Sequence, residues 1–149
     1  MKSRESRHAG TIAMLKRIQW SHFIGINLPH NGTADRAAEK TLREFINRLS
    51  RVLKAKPERM FWFGAYELGR SGFNPHLHLQ IGGPSRALNE RQMQIECDII
   101  ARKMHLPCIK VWGYEDRPNA VRYLFKDRET PLDDDRWPMS SPNIREALR

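Results

Sequence analysis

Several features that define other protein classes are rare or missing in this sequence. The chain of 149 residues has two cysteines, Cys97 and Cys108, which are too few for a disulfide framework and lack the C-x-x-C spacing of zinc sites. No apolar run approaches the roughly 18 residues of a membrane span, and the charged start lacks the apolar centre of a secretory signal. A G-x-x-x-x-G-K-S/T phosphate loop is also missing. We therefore expect a cytoplasmic protein with reduced thiols.

The charge balance favours a polyanionic partner. The formal net charge is +9 at pH 7, and the pI is about 10.1. A positive excess raises the local concentration of nucleic acid and makes its binding depend on salt. Nucleic acid is therefore the leading partner class, and a merely soluble basic protein is the alternative. Hydrophobic residues make up 40% of the chain, which is enough for one globular domain.

The hydrophobic pattern divides the chain into strands and helices. Runs rich in aromatic and β-branched residues predict strands over 18–28, 60–68, 75–81 and 108–114. Apolar spacings of three and four predict helices over 33–54, 85–105 and 116–128. The order is βαββαβ followed by a helix. It predicts an α+β domain of the ferredoxin-like, split βαβ type, an antiparallel sheet with helices on one face.

The ends of the chain differ in composition from this domain, which we assign to residues 18–128. Residues 1–17 are polar and basic, and we expect a flexible arm there. Residues 129–149 contain several prolines and an acidic run, and we expect an irregular tail.

The strand over 75–81 carries the most informative pattern. Successive side chains of a strand alternate between faces, so His76 and His78 project together while Leu77 and Leu79 project toward the helices. If the preceding strand is the hairpin neighbour, the carboxylate of Glu67 can join the two imidazoles. Two histidines and one carboxylate can chelate a divalent cation and leave positions open for a substrate oxygen. The alternative is a pair of ordinary surface histidines.

A second pattern lies on the predicted helix over 116–128. Residues three and four apart share a helix face, so Tyr123 lines up with Asn119, Lys126 and Asp127. A tyrosine with a pKa near 10 is a weak nucleophile. A nearby ammonium group or metal ion favours the phenolate and neutralises charge that develops on a phosphate. The alternative is a half-buried core tyrosine. Tyr114 is a second candidate, although no lysine follows it at the same spacing.

Together these patterns resemble the HUH endonucleases, and among them the rolling-circle replication initiators with a single catalytic tyrosine. The histidine motif of that family matches His76-Leu77-His78, with Glu67 at the place of its upstream metal-binding carboxylate. The tyrosine motif, Tyr-x-x-Lys, matches Tyr123 and Lys126. The weaker first motif, an apolar strand that ends in a polar turn, is loosely similar to residues 23–29. The resemblance covers about residues 18–128.

The resemblance implies a metal-dependent activity that nicks and joins single-stranded DNA at a specific sequence through a 5′-phosphotyrosine intermediate. Mg²⁺ or Mn²⁺ would be held by Glu67, His76 and His78, with Asp127 as a candidate fourth ligand. Tyr123 would be the nucleophile, and Lys126 would stabilise developing charge. Candidate DNA contacts are Asn27, Arg70, Asn119 and Arg122.

The aromatic residues of the strands have two interpretations. Trp20, Phe23 and Trp62 either stack unpaired bases on an open sheet or belong to the core.

The biological setting also follows from the resemblance. Such an enzyme would start rolling-circle replication of a plasmid, phage or virus at single-stranded DNA or an origin hairpin. A host helicase and polymerase would be its partners, and no membrane is expected. The location would be the cytoplasm of a bacterial or archaeal host, or the nucleus or cytoplasm of the host of a virus.

Other functions remain open on the sequence. A single-tyrosine HUH transposase or a mobilisation relaxase would use the same residues on different DNA. A histidine-triad nucleotide hydrolase would need a third alternating histidine, where this chain has Gln80. A non-catalytic domain of ferredoxin-like fold that binds RNA or single-stranded DNA would need aromatic residues on its central strands.

Overall fold

The computed structural model describes residues 9–29, 35–67, 75–114, 139–141 and 144. Over these ranges the chain forms three α-helices: α1 (Ala9–Lys16), α2 (Asp35–Val52) and α3 (Glu90–Lys103). It also forms five strands: β1 (Trp20–Asn27), β2 (Phe61–Glu67), β3 (His76–Gly82), β4 (Cys108–Gly113) and β5 (Met139–Ser140). Short 3-10 turns cover Pro57–Arg59 and Gly83–Ala87. None of the helices in these ranges is long and apolar enough to cross a membrane.

The strands form one sheet in the order β4-β1-β3-β2-β5, and each neighbouring pair is antiparallel. The prediction of an α+β fold with an antiparallel sheet is confirmed. The boundaries of β1 to β4 and of α2 lie within two residues of those predicted. Helix α3 begins later than predicted, because a 3-10 turn precedes it and Asn89 caps it reciprocally with Gln92. The predicted helix over 116–128 lies outside the described residues.

Helices α2 and α3 cover one face of the sheet. From α2, Leu42, Phe45 and Leu49 are fully buried at helical spacing. They belong to one apolar cluster, the helix-face core, with the strand and α3 residues Ile24, Ile26, Leu77, Leu79, Ile81, Met93, Cys97, Ile100, Ile109 and Val111. The outer side of α2 carries exposed ion pairs between Glu39 and Arg43 and between Glu44 and Arg48. Because Leu77 and Leu79 of β3 are buried in this core, the residues that alternate with them point to the opposite face of the sheet.

Helix α1 covers part of the opposite face of the sheet, the far face. Its residues Ile12 and Leu15 are buried in a second apolar cluster. This far-face core also contains Ile18, Trp20, Phe23, Phe63, Ala65 and Ile144. The indole Nε1 of Trp20 donates a hydrogen bond of 2.9 Å to the Leu15 carbonyl, which ties α1 to β1. Where the sequence predicted a flexible arm over residues 1–17, residues 9–16 form this helix, because burial of its apolar side stabilises a segment too short to be helical alone.

The C-terminal segment also contributes to the sheet. In β5, Met139 pairs with Gly64 and Ser140 with Phe63. Ser141 follows, and its backbone N–H donates to the Trp62 carbonyl at 2.9 Å. The tail over 129–149, predicted as irregular, therefore includes a short strand. Pairing with a distant strand leaves no periodic signal in so short a stretch.

The turn after β3 requires glycine. Gly83 has a φ of +81°, and a Cβ there would lie 2.8 Å from the Arg59 carbonyl oxygen. We expect Gly83→Ala to lower the free energy of unfolding by about 1–3 kcal/mol, because both the backbone conformation and the contact oppose a side chain. Urea denaturation measures this. The control is Gly10→Ala in α1, where no atom lies within 4 Å. Equal stabilities of the two variants would contradict the prediction.

Candidate functional site

Cross-strand pairing brings several of the sequence-predicted residues together at one end of the far face. His76 at the start of β3 is the Cα partner of both Asn27, at the end of β1, and Glu67, at the end of β2. Directly opposed residues of antiparallel strands lie on the same face. Positions 27, 76 and 67 therefore form one row across three strands. This register agrees with the predicted hairpin between β2 and β3.

A second row runs through His78. Its Cα partners are Gly25 on β1 and Ala65 on β2, and Gly25 in turn pairs with Lys110 on β4. A Cβ at Gly25 would lie 4.0 Å from Nδ1 of His78, so the two positions share the far face. Gly25, Asn27, His76, His78 and Lys110 together are called the histidine end below. The residues on both sides of His78 are small, and the Trp112 ring reaches over Gly25.

The two imidazole rings contact each other. Their centroids are 4.7 Å apart and the ring planes are perpendicular. The other side of the His78 ring stacks on Phe23, with centroids 5.7 Å apart and an interplanar angle of 29°. Both histidines are half-buried, and both ring nitrogens of His78 are shielded from solvent. The pair therefore lies in a recess, because the far-face core continues up to His78.

The donor chemistry of this pair suits a divalent cation. Neutral imidazole nitrogens bind Mn²⁺ and other transition ions, and two on one face supply half of a compact donor set. Within the ranges described, no group of three histidine, cysteine, aspartate or glutamate residues is close enough to hold a metal ion. The side chain of Glu67 and the whole of Asp127, the two predicted carboxylate ligands, lie outside the described part of the molecule. Metal binding by the histidine end stays a prediction.

The remaining predicted site residues also lie outside the described ranges. They are the candidate nucleophile Tyr123, its partner Lys126, and the candidate DNA contacts Arg70, Asn119 and Arg122. Their roles stay predictions. Of the candidate DNA contacts, Asn27 is described: it is exposed and lies in the row of His76.

The candidate stacking aromatics are core residues. Trp20 is 7% exposed, Phe23 is 0% exposed and Trp62 is 4% exposed. Trp20 and Phe23 lie in the far-face core beneath α1, and Trp62 lies in the helix-face core. The interpretation of an open sheet with aromatic base platforms is therefore wrong. The reason is that both faces of the sheet are covered along most of its length, and burial of large apolar rings in these cores is favourable.

Gln80 extends the face of the histidines in a way that sequence reasoning missed. It follows His78 by two residues, pairs with Phe23 and Phe63, and is fully buried. Neither its amide oxygen nor its amide nitrogen has a hydrogen-bond partner among the described residues. A buried amide without a partner costs about 1–3 kcal/mol. We therefore expect a polar group from the rest of the chain or from a ligand to reach this position.

Tyr114 is the alternative nucleophile that the sequence offered. It is half-buried against the far-face core, and burial raises the pKa of its phenol above the usual value. Lys110 is the β4 residue in the row of His78. Tyr114 follows it by four residues and therefore lies about 13 Å further along the strand. A protonated phenol at that distance is poorly placed to act with the histidines.

A third histidine, His22, lies on the helix face. It is 3% exposed, and its Nδ1 lies 2.8 Å from the Ser21 hydroxyl, which also contacts the Ser85 hydroxyl at 2.7 Å. Burial lowers the pKa of His22, and this effect exceeds the opposing influence of the backbone at Asn89 and Leu88 and of the Glu90 charge. His22 is therefore a neutral structural residue.

This burial predicts a pH effect on stability. The unfolded chain protonates His22 near its ordinary pKa of about 6.5, whereas the folded protein resists protonation. The stability that neutral His22 provides is thus complete above about pH 6.5 and is lost as the pH falls toward the folded pKa. We expect His22→Gln to lose less stability than the parent between about pH 7 and about pH 5, by urea denaturation. The control is His105→Asn, at an exposed position. If the free energy of unfolding varies with pH in the same way for the parent and His22→Gln, the prediction is contradicted.

Lys110 is a second residue that sequence reasoning did not single out. It is exposed, while its neighbours Ile109 and Val111 are buried. The alternation of β4 could have indicated this residue. Ile109 and Val111 point to the helix-face core, so Lys110 between them points to the face that carries the histidines.

The histidine end thus brings two imidazoles and the exposed ammonium group of Lys110 onto one face of the sheet. Comparisons of the chain with family models, with curated proteins and with solved structures found no match.

Proposed function

We propose that this chain is a metal-dependent, sequence-specific enzyme that nicks and joins single-stranded DNA, of the HUH rolling-circle initiator type. The observation that carries the proposal is the row in which His76 stands between Asn27 and Glu67, with His78 on the same face. The sequence motif alone cannot distinguish a metal pair from two separate surface histidines. Ring centroids 4.7 Å apart in a recess favour the pair.

The arrangement of the sheet supports the ferredoxin-like, split βαβ form of the proposed family. Strands β1 and β2 are connected through α2 and are separated in the sheet by β3. Strands β3 and β4 are connected through α3 and are separated by β1. Both helices pack on one face. On the opposite face, α1 and the far-face core leave the histidine end for the proposed chemistry.

The residues at the histidine end fit a divalent metal. His76 and His78 would hold Mg²⁺ or Mn²⁺ with Glu67, and Asp127 is a candidate further ligand. When bound, such an ion supplies Lewis-acid polarisation of a non-bridging oxygen of the scissile phosphate. The stacking of His78 on Phe23 and its contact with His76 fix the orientation of its ring.

The length of the chain allows Tyr123 to reach this place. Tyr123 follows Tyr114 by nine residues. Nine residues span about 13 Å as a helix and up to roughly 30 Å when extended. The row of His78 lies about 13 Å back along β4 from Tyr114. A returning segment can therefore bring the Tyr123 oxygen to a phosphate at the histidine end.

The proposed reaction is a transesterification. The phenolic oxygen of Tyr123 attacks phosphorus and forms a new P–O bond, while the bond from phosphorus to the 3′ oxygen breaks. The departing 3′ oxygen takes up a proton, which balances the proton lost by the phenol. Lys126 stabilises the negative charge on the phosphoryl oxygens during attack. The phosphotyrosine bond conserves the ester, so a later 3′-hydroxyl can reverse the step and join strands.

The charge of the chain supports single-stranded DNA as substrate. A net charge of +9 attracts a polyanion. The proposed backbone or base contacts are Asn27 on the histidine end and Arg70, Asn119 and Arg122 in the flanking segments. The burial of the three strand aromatics removes the stacking platform on which a purely binding domain of this fold depends.

A covalent adduct assay tests the proposed function. The protein is incubated with a 3′-end-labelled library of single-stranded DNA and Mn²⁺, with and without EDTA, and separated on a denaturing gel. We expect a detergent-resistant protein–DNA band that EDTA abolishes. Salt-sensitive binding without an adduct from any sequence would contradict the proposal and support a binding domain. Once an adduct forms, origin, transposon-end and transfer-origin DNA separate replication from transposition and mobilisation.

A further inference from the structure

Lys110 lies on the same face as the histidine pair and in the same row as His78. It is the Cα partner of Gly25, which is also the partner of His78. Two residues further along β4, the ring of Trp112 contacts Phe23, with centroids 5.8 Å apart. Because residues two apart on a strand share a face, this contact places Lys110 on the far face.

Between Lys110 and His78 stands a residue without a side chain. A Cβ at Gly25 would lie 3.5 Å from the ring of Trp112 and 4.0 Å from Nδ1 of His78. Glycine at this position leaves a narrow gap in which a single carbon atom would already contact both the Trp112 ring and His78. Adjacent strands are about 4.8 Å apart, so the Cα atoms of Lys110 and His78 are separated by about 10 Å. The long side chain of Lys110 can therefore bring its ammonium group close to the imidazoles on the same face.

The charge of Lys110 is available to a ligand. Within the described part of the chain, no carboxylate lies within ion-pair distance of Lys110, and the ion pairs found there lie on α2. Glu67 stands three strands away and two residues along, at a Cα separation of about 16 Å. An exposed ammonium group on the β4 side thus faces a predicted cation site on the β3 side. An anion between them is attracted from both sides.

We propose that Lys110 binds a non-bridging oxygen of a backbone phosphate of single-stranded DNA at the histidine end. The inference deepens the proposed function, on which it rests for the substrate. It assigns to β4 a DNA contact that neither the histidine motif nor the tyrosine motif contains. Lys110 thereby sets the side from which the strand enters the histidine end.

Direct binding tests this contact without the chemical step. Lys110→Met, Lys110→Arg and the control Lys103→Met, an exposed lysine at the end of α3, are compared with the parent. The probe is a fluorescent oligo-dT in EDTA, titrated over a range of salt. Loss of one phosphate contact lowers the slope of log affinity against log salt by about 0.7 for a single strand. For Lys110→Met we expect this smaller salt slope and an affinity about tenfold lower at low salt. For Lys110→Arg we expect the slope and the affinity of the parent.

Neutral phosphates locate the contact. In the adduct substrate, single methylphosphonate linkages replace each phosphate in turn, and the parent and Lys110→Met are compared at every position. At the phosphate that Lys110 contacts, the neutral linkage weakens the parent but not the variant. The inference is overturned if Lys110→Met has the salt slope of the parent, or if Lys103→Met loses as much affinity as Lys110→Met. It is also overturned if a neutral linkage affects the parent and Lys110→Met equally at every position. If the parent binds but forms no adduct, the proposed nicking function fails, while a reduced slope for Lys110→Met still supports the contact.

Discussion

His76→Ala and His78→Ala are each expected to abolish metal-dependent adduct formation, with a loss of about a thousandfold or more. Even residues that merely orient metal ligands commonly contribute ten- to a hundredfold, so removal of a ligand costs more. The two rings share one face and contact each other at 4.7 Å. Because they act on the same ion, we expect the double variant to be no worse than either single variant. The rate of adduct formation in Mn²⁺ measures both effects.

The control for this pair is His105→Asn. His105 is exposed and has a φ of +56°, a conformation that asparagine tolerates. We expect it to retain full activity. His78 also packs on Phe23, so its variant is checked by thermal unfolding for a folded core. Folded histidine variants that still form the adduct at the parent rate would contradict the metal role of the pair.

Tyr123→Phe is expected to remove the adduct entirely, a loss of at least about 10⁴-fold, because the variant lacks the oxygen that bonds to phosphorus. Binding of the same DNA in EDTA should change little, since one hydroxyl is lost and no charge. The comparison of adduct yield with affinity separates a nucleophile from a structural tyrosine.

The matched control is Tyr114→Phe. Burial raises the pKa of the Tyr114 phenol, and this residue lies against the far-face core rather than at the histidine end. We expect its variant to keep the parent activity. Loss of the adduct in Tyr114→Phe together with its retention in Tyr123→Phe would reverse the two assignments.

The sequence predicted the elements whose signal is local and periodic. The alternation in β3 placed His76 and His78 on one face, and the spacing in α2 predicted its buried side. The hairpin of β2 and β3, which sets Glu67 beside His76, was predicted from the order of the strands, whereas the pairing of β1 with β3 that sets Asn27 beside His76 was not. These parts depend on side-chain periods that the chain shows directly.

The parts that sequence reasoning missed depend on distant contacts. Helix α1 is short and begins in a charged stretch, and it is stabilised by contact with the sheet rather than by its own propensity. The same helix explains why Trp20 is buried and cannot stack on DNA. The importance of Lys110 depends on pairing of β4 with β1 and on the missing side chain at Gly25. No local pattern states which strand lies beside which.

The most direct test of the account is to locate the DNA on the protein. The adduct formed in Mn²⁺ is trimmed with nuclease, digested with trypsin and analysed by tandem mass spectrometry. Trypsin cleaves after Arg122 and Lys126, so the account predicts the peptide Tyr-Leu-Phe-Lys with a nucleotide on Tyr123. Absence of any modified peptide, or attachment at Tyr114, at another tyrosine or at a histidine, would contradict the proposed nucleophile and the mechanism built on it.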